Sequence, residues 1–323
     1  MPPADKTKGG NVMLKIFKSF GGYVEIPQAQ KGCWINVVQP SKDEIEQLQT
    51  EFNMPPDIIQ DILDIDERPR YEFDDDWSLI ILRIPVDNPA NGVPYYTLPL
   101  GIFMINNVTI TLCSTINEVL TFEQPTLYRS GQTLPVHDEL NFIIKLFLRS
   151  GSTYLRYLKQ INQQTGQIEQ ELEKSIRNEE LNKLLKMEKC LVYFITSLKA
   201  NEIVLAKLRN SLKRSITEVN EDLLEDAIIE NKQALEMSQI YSDIQSGMMD
   251  AFASVISNNL NVVMKQLASI SIILMIPTLI ASLYGMNVPN SLEQNDWAFA
   301  IIIIISAFLS LVGIIIFRKK DLF

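Results

Sequence analysis

Between residues 136 and 276 the chain contains no proline, although the sequence has 15 prolines and 13 of them lie at or before Pro135. Proline removes a backbone donor and clashes with the turn before it, so a gap this long predicts long helices. The apolar spacing agrees with that reading. Leu181, Leu184, Leu185, Leu191, Val192, Ile195 and Leu198 fall on one helical stripe. Met237, Tyr241, Ile244, Met248, Ala251, Val255, Asn259 and Val262 repeat at steps of three and four. Both stripes read as packing faces. Asn178-Glu179-Glu180 marks a break within or between helical segments, and residues 210–217 mark an antiparallel turn.

The second stripe continues without a stop signal into residues 267–284, which carry no charged side chain and are about long enough to cross a hydrocarbon core. A second uncharged run, 297–317, opens on Trp297, a residue suited to a membrane interface. The connecting loop, 285–296, has no Lys or Arg. Lys265 precedes the first run, and Arg318, Lys319 and Lys320 follow the second. The bias of basic residues to one side predicts two spans in a cell membrane with both termini cytoplasmic. The first residues show no basic region followed by an apolar core, so the membrane is expected to be reached only through the C-terminal end.

Before residue 135 the pattern is different. Short apolar runs punctuated by Gly and Pro read as strands and turns: 14–17, 34–38, 70–73, 77–84, 95–100, 101–105 and 108–113, with Asn106-Asn107 as a two-residue turn. Helices are expected after Ser41, with acids in the first turn, and after Pro55-Pro56-Asp57. The expected organisation is an α+β cytosolic domain (1–135), a helical hairpin region (136–214), the cytosolic part of a long helix (215–266), two transmembrane helices (267–284 and 297–317) around an external loop (285–296), and a basic tail (318–323).

The formal net charge of −10 argues against a nucleic-acid surface, which needs a basic face. Cys33, Cys113 and Cys190 are far apart and form no zinc or disulfide pattern, which fits a reducing compartment. His137, the only histidine, reads as a surface residue. No phosphate-binding loop is present and no nucleophile, base and orienter set is visible, so neither an ATP-driven pump nor an enzyme is expected.

The two spans differ in polarity. The second is almost wholly apolar, whereas Met264, Ala268, Ser271, Met275, Thr278, Ser282 and Gly285 put a partly polar stripe along the first. A pore lining and a helix contact through small residues both have this spacing.

Tyr284-Gly285-Met286-Asn287, directly after the first of two C-terminal spans, resembles the CorA family of magnesium channels and transporters. Residues 261–267 resemble that family's approach to the first span, and 66–73 its cytosolic domain. The resemblance implies a funnel-shaped homopentamer in the lipid bilayer, with five copies of the first span lining the pore. It implies a selectivity filter at Gly285, Met286 and Asn287, where Asn287 meets a hydrated cation. Magnesium sheds water reluctantly, so amide and carbonyl oxygens are a suitable first contact. It further implies a pore lining and gate from Asn261, Met264, Leu267, Ser271, Met275, Thr278 and Ser282. Glu293 and Asp296 are external loop acids, and Asp87 and Asp226 are expected to hold regulatory Mg2+.

The expected activity is passive Mg2+ uptake driven by membrane potential and gated by cytosolic Mg2+, with Co2+, Ni2+ or Zn2+ as further divalent cations. A ZntB-like zinc, cobalt or nickel transporter is the alternative within transport, and a non-conducting membrane-anchored sensor or scaffold is the alternative outside it. Pro277 stands one residue from the family's common proline, and 288–296 departs from its usual acidic loop.

Overall fold

A computed structural model of the chain describes residues 14–18, 25–74, 76–88, 92–120, 139–174, 178–212, 218–286 and 297–320. The fold divides into two compact units, Met1–Ser246 and Gly247–Phe323.

The first unit begins with β1 (Leu14–Phe17), β2 (Trp34–Val38), α1 (Lys42–Glu51), α2 (Pro56–Leu63) and β3 (Arg70–Phe73). It continues with β4 (Trp77–Asp87), β5 (Tyr95–Ile105) and β6 (Val108–Cys113). Then come three long helices, α3 (Glu139–Lys174), α4 (Asn178–Leu212) and α5 (Glu218–Tyr284), the last of which runs on into the second unit. The strands form one six-stranded sheet in the order β1-β2-β6-β5-β4-β3. Every pairing is antiparallel except β2 with β6.

Side-chain alternation on β4 sends Leu79 and Ile81 to one face, where they join Leu48, Ile58 and Ile62 from α1 and α2. Ile80, Leu82, Ile84 and Val86 go to the other face, where they meet Phe142, Phe147, Leu205 and Leu224 from α3, α4 and α5. The α+β domain is therefore a sheet covered by helices on both sides.

Local chemistry accounts for several boundaries. Ser41 accepts from Glu44 N through Oγ at 3.2 Å, while Glu44 Oε2 accepts from Ser41 N at 2.8 Å, a reciprocal cap that starts α1. Asn106 and Asn107 have φ of 51° and 62°, as a tight turn between β5 and β6 requires.

The structure corrects two sequence expectations. Residues 95–100 and 101–105 form one strand, because Gly101 is not a break: it leaves room for Ile62 of α2, whose Cδ1 would lie 2.3 Å from a Cβ at that position. Two prolines also sit inside strands without cost to the ladder. Arg83 N and O point away from β5, so its partner Pro99 points its nitrogen toward β6, whose register with β5 ends at Leu100↔Cys113. Pro85 has the same parity as Arg83 and faces the edge beyond Arg70↔Ile81, where β3 has ended.

The second correction concerns the helical stripes. On α4 the buried line runs through Leu184, Met187, Leu191, Phe194 and Leu198, while Leu185 and Val192 are exposed. On α5 the apolar seam expected to pack is outside: Ile244, Val255 and Val262 are exposed. The covered line is more polar and includes Asn220, Leu224, Ala227, Asn231, Ala234, Ser238 and Gln245. Asn231 Nδ2 donates to Leu198 O at 3.1 Å, and Gln245 Nε2 donates to Leu184 O, so side-chain amides dock α5 on α4 by their backbone carbonyls.

The second unit consists of the rest of α5 and α6 (Ala298–Lys319). Both helices are long and apolar enough to cross a membrane.

Candidate functional site

From residue 269 to 284, burial divides α5 into two faces. Ser269, Ile273, Ile276, Ile280 and Tyr284 are covered or partly covered. Ser271, Met275, Thr278 and Ser282 are exposed. At about 100° per residue the two sets centre on opposite sides of the helix, about 180° apart. The covered face meets α6: a Cβ on Gly313 would stand 3.6 Å from Ile276 Cδ1 and 3.8 Å from Ile273 Cγ1. On α6 the matching line is Ala298, Ile302, Ser306, Ser310, Gly313 and Phe317, in which small residues permit close approach. The helix contact within the chain thus uses the face opposite the polar stripe.

The exposed stripe has a definite hydrogen-bonding character. Ser271 Oγ donates to Leu267 O at 2.8 Å, and Thr278 Oγ1 donates to Leu274 O at 3.0 Å. Each hydroxyl has one proton, and it is committed to the preceding turn. What these groups offer outward is lone pairs. A cation turns the hydrogens of its bound waters outward, so acceptors of this kind suit a hydrated cation. Between them stands apolar Met275, and below them Met264 and Leu267 are also exposed. Asn261 lies further down in a stretch, 253–268, in which every residue is exposed.

At the far end Gly285 N donates to Ala281 O at 2.9 Å and closes the helix. A Cβ on Gly285 would come within 3.3 Å of that same carbonyl, so the close of the helix favours glycine. Met286 follows and is exposed. Asn287, Glu293 and Asp296 lie outside the described residues, as does His137.

The expected regulatory acids are apart in kind and surroundings. Asp87 ends β4 opposite Tyr95 and is exposed. Burial first, and then the charge of Asp87, pushes the Tyr157 phenol up to about 12. Asp226 is exposed on α5 beside Glu225, which pairs with Arg209 at 3.2 Å. Among the described residues, no group of three acids, histidines or cysteines is gathered to hold a metal. Sequence reading misses a further polar feature of the first unit, the link between Arg83 of β4 and Asn201 of α4, because its partners lie 118 positions apart.

The family model for the CorA-like Mg2+ transporter protein matches residues 29–319. The chain belongs to this CorA family. A cobalt/magnesium transport protein CorA from Methanocaldococcus jannaschii is 27% identical over 296 residues, covering 89% of this chain and 90% of that protein. The complete structure of the CorA magnesium transporter from the same organism aligns with a TM-score of 0.79 and 24% identity, covering 96% of this chain and 99% of that one. The ZntB cytoplasmic domain from Vibrio parahaemolyticus aligns at TM-score 0.56 and 14% identity over 76% of this chain and 97% of its own. The CorA fold therefore extends over both units, and part of the chain shares its fold with a ZntB domain.

Proposed function

We propose that this chain forms a homopentameric channel that lets hydrated Mg2+ cross the cell membrane passively, with Co2+ as a second permeant ion. The observation that carries the reading is the acceptor-bearing face of α5, which lies opposite the face covered by α6. Five such faces around an axis make rings of hydroxyl oxygens at Ser271, Thr278 and Ser282, separated by apolar rings at Met264, Leu267 and Met275. The oxygens contact water bound to the ion, and the apolar rings close the path by dewetting. Gly285 and Met286 hold the turn, Asn287 and the polar Asn261 mark the two ends, and Glu293 and Asp296 add a negative field outside.

Support for self-association comes from the apolar seam of α5. Ile244, Val255 and Val262 share one line of the helix and are exposed in a single chain, and an apolar line of this kind needs covering. The relatives named for cobalt and magnesium transport support the choice of ions, while Ni2+ and Zn2+ are competitors to be ranked. Likeness to a ZntB domain does not favour zinc, since it lies in the cytosolic fold and the first span offers neither His nor Cys to a softer metal. No chemical step is involved. The membrane potential supplies roughly 4.6 kcal/mol per 100 mV for a doubly charged ion, from about 2.3 for each charge.

Both termini lie in the cytoplasm in this reading, which follows the basic residues at Lys265 and Arg318-Lys319-Lys320. Asp87 and Asp226 act between protomers, and bound Mg2+ there favours the closed state.

Proteoliposomes with an internal Mg2+ indicator test the whole. Influx should rise with an inside-negative potential and fall at least about tenfold in Asn287→Ala. Raising internal Mg2+ should slow wild-type influx and leave Asp226→Ala less affected. No flux of any divalent ion would favour the non-conducting scaffold, and Zn2+ flux without Mg2+ flux would favour the zinc carrier.

A further inference from the structure

The line along which α5 meets α6 ends in a lysine on each helix. On α5 the covered line runs through Ile280, Ile276, Ile273 and Ser269, and four residues further on, in the same row, stands Lys265. On α6 it runs through Ser306, Ser310, Gly313 and Phe317, and three residues further on stands Lys320. The two helices are antiparallel. With Gly313 beside Ile273 and Ile276, a parallel α6 would set Ala298, 3% exposed, against 253–268, where every residue is exposed. Counted from that contact at about 1.5 Å per residue, Lys320 lies about 10 Å and Lys265 about 14 Å toward the same end. The two lysines thus stand within one turn of each other in height.

Among the described residues no carboxylate answers them. Neither lysine has an ion pair there, and α6 carries no acid. The next acid back along α5 is Asp250, about 22 Å from Lys265. Arg318 and Lys319 add two cations at the same level, so a chain of net charge −10 gathers four positive charges at one end of its helix pair. Cations brought together in this way attract an anion. The depth is informative too: residues 297–317 measure about 31 Å as a helix, the thickness of a hydrocarbon core, so the charges that follow stand where phospholipid phosphates lie. Just inside that level Leu311, Ile314, Ile315 and Ile316 are 41–56% exposed.

We propose that this end of the helix pair binds an anionic phospholipid. Its phosphate lies between Lys265 and Lys320, in the field of Arg318 and Lys319, and its acyl chains lie along the exposed isoleucines of α6. A free phosphate shares the chemistry of the headgroup but has nothing to place on that apolar face, and a zwitterionic lipid brings a cation of its own to a site that already holds four. The proposal rests on α5 and α6 crossing a membrane, and it does not depend on ion conduction.

Lipid retention by the full-length protein tests this. The chain is reconstituted in vesicles of equal parts phosphatidylcholine and phosphatidylglycerol and extracted in mild detergent, and the lipids that stay bound are counted by mass spectrometry. Phosphatidylglycerol should be enriched about twenty-five-fold over phosphatidylcholine, about fivefold for each seam lysine. Lys265→Gln and Lys320→Gln should each lower the enrichment about fivefold, and together abolish it. Lys207→Gln removes the same charge from α4 and should leave it unchanged. High salt should reduce the wild-type enrichment, a readout that needs no variant. Thermal unfolding verifies that each variant is folded. Undiminished enrichment in the double variant, equal loss in Lys207→Gln, or displacement of the lipid by inorganic phosphate at matched concentration would each overturn the proposal. Entry into vesicles without enrichment overturns it alone, whereas failure to enter vesicles overturns it together with the membrane reading.

Discussion

Asn201 of α4 grips the backbone of Arg83 of β4 with both ends of its carboxamide: Oδ1 accepts from Arg83 N at 2.8 Å, and Nδ2 donates to Arg83 O at 2.8 Å. It takes the place that a neighbouring strand would have, since β3 has already ended. Tyr154 OH also donates to Arg83 O, at 3.1 Å, so the carbonyl has two partners and the N–H has one. This asymmetry predicts unequal costs. Asn201→Leu strands a buried N–H and should lower stability by about 2–3 kcal/mol. Tyr154→Phe leaves the carbonyl served and should cost about 1 kcal/mol. Denaturant unfolding of the detergent-solubilised protein measures both, and equal losses would mean that the N–H is satisfied by water.

Ile62 of α2 packs directly against the β5 backbone at Gly101. A Cβ at Gly101 would fall within 2.3–2.8 Å of three atoms of Ile62, which is fully buried and has nowhere to move. Gly101→Ala should therefore destabilise the first unit by about 2–3 kcal/mol through overpacking. Combining it with Ile62→Ala should cost less than the sum of the two single changes, because each removes the reason for the other. Strict additivity in that cycle would show that the clash is relieved elsewhere.

Burial pushes the thiols of Cys113 and Cys190 up to about 11 from an ordinary 9.0. The folded chain holds these protons more tightly than the unfolded chain does. Their contribution to stability is thus fully present below about pH 9 and is lost as pH rises toward 11. Each thiol makes stability fall by up to about 1.4 kcal/mol per pH unit in that window. Tyr157, pushed up to about 12 chiefly by burial, extends the decline above pH 10. Melting temperatures recorded from pH 8 to pH 11 should fall less steeply in a Cys113→Ala, Cys190→Ala double variant, whatever its starting stability. An unchanged slope would place the alkaline loss elsewhere.

The strands, caps and spans were legible in the sequence where the signal is local. The acids after Ser41, the Asn106-Asn107 pair and the uncharged run before Gly285 all act on their own few neighbours. Gly101 misled because its reason lies 39 positions away in Ile62, and a glycine that admits a neighbour looks like one that ends a strand. The α5 seam misled for a different reason. Spacing shows that Ile244, Val255 and Val262 share a face, but not whether the face is covered by the same chain, and here Asn231, Ser238 and Gln245 take the inner side. The polar stripe of the first span was visible as a stripe. Its separation from the α6 contact needed coordinates, because Ser271 and Ile276 are equally compatible with a helix contact until Gly313 is placed.

The account turns on the claim that the exposed face of α5 borders the ion path, and cysteine accessibility measures it most directly. All three native cysteines are buried, so background reaction is low. Single cysteines at Ser271, Met275 and Thr278 in proteoliposomes should react with a small cationic thiol reagent, and Mg2+ influx should fall about tenfold as positive charge enters the path. Cysteines at Ile273, Ile276 and Ile280 should leave influx within about twofold of the untreated level. Block from the Ile273, Ile276 and Ile280 positions, with none from Ser271, Met275 and Thr278, would contradict the account.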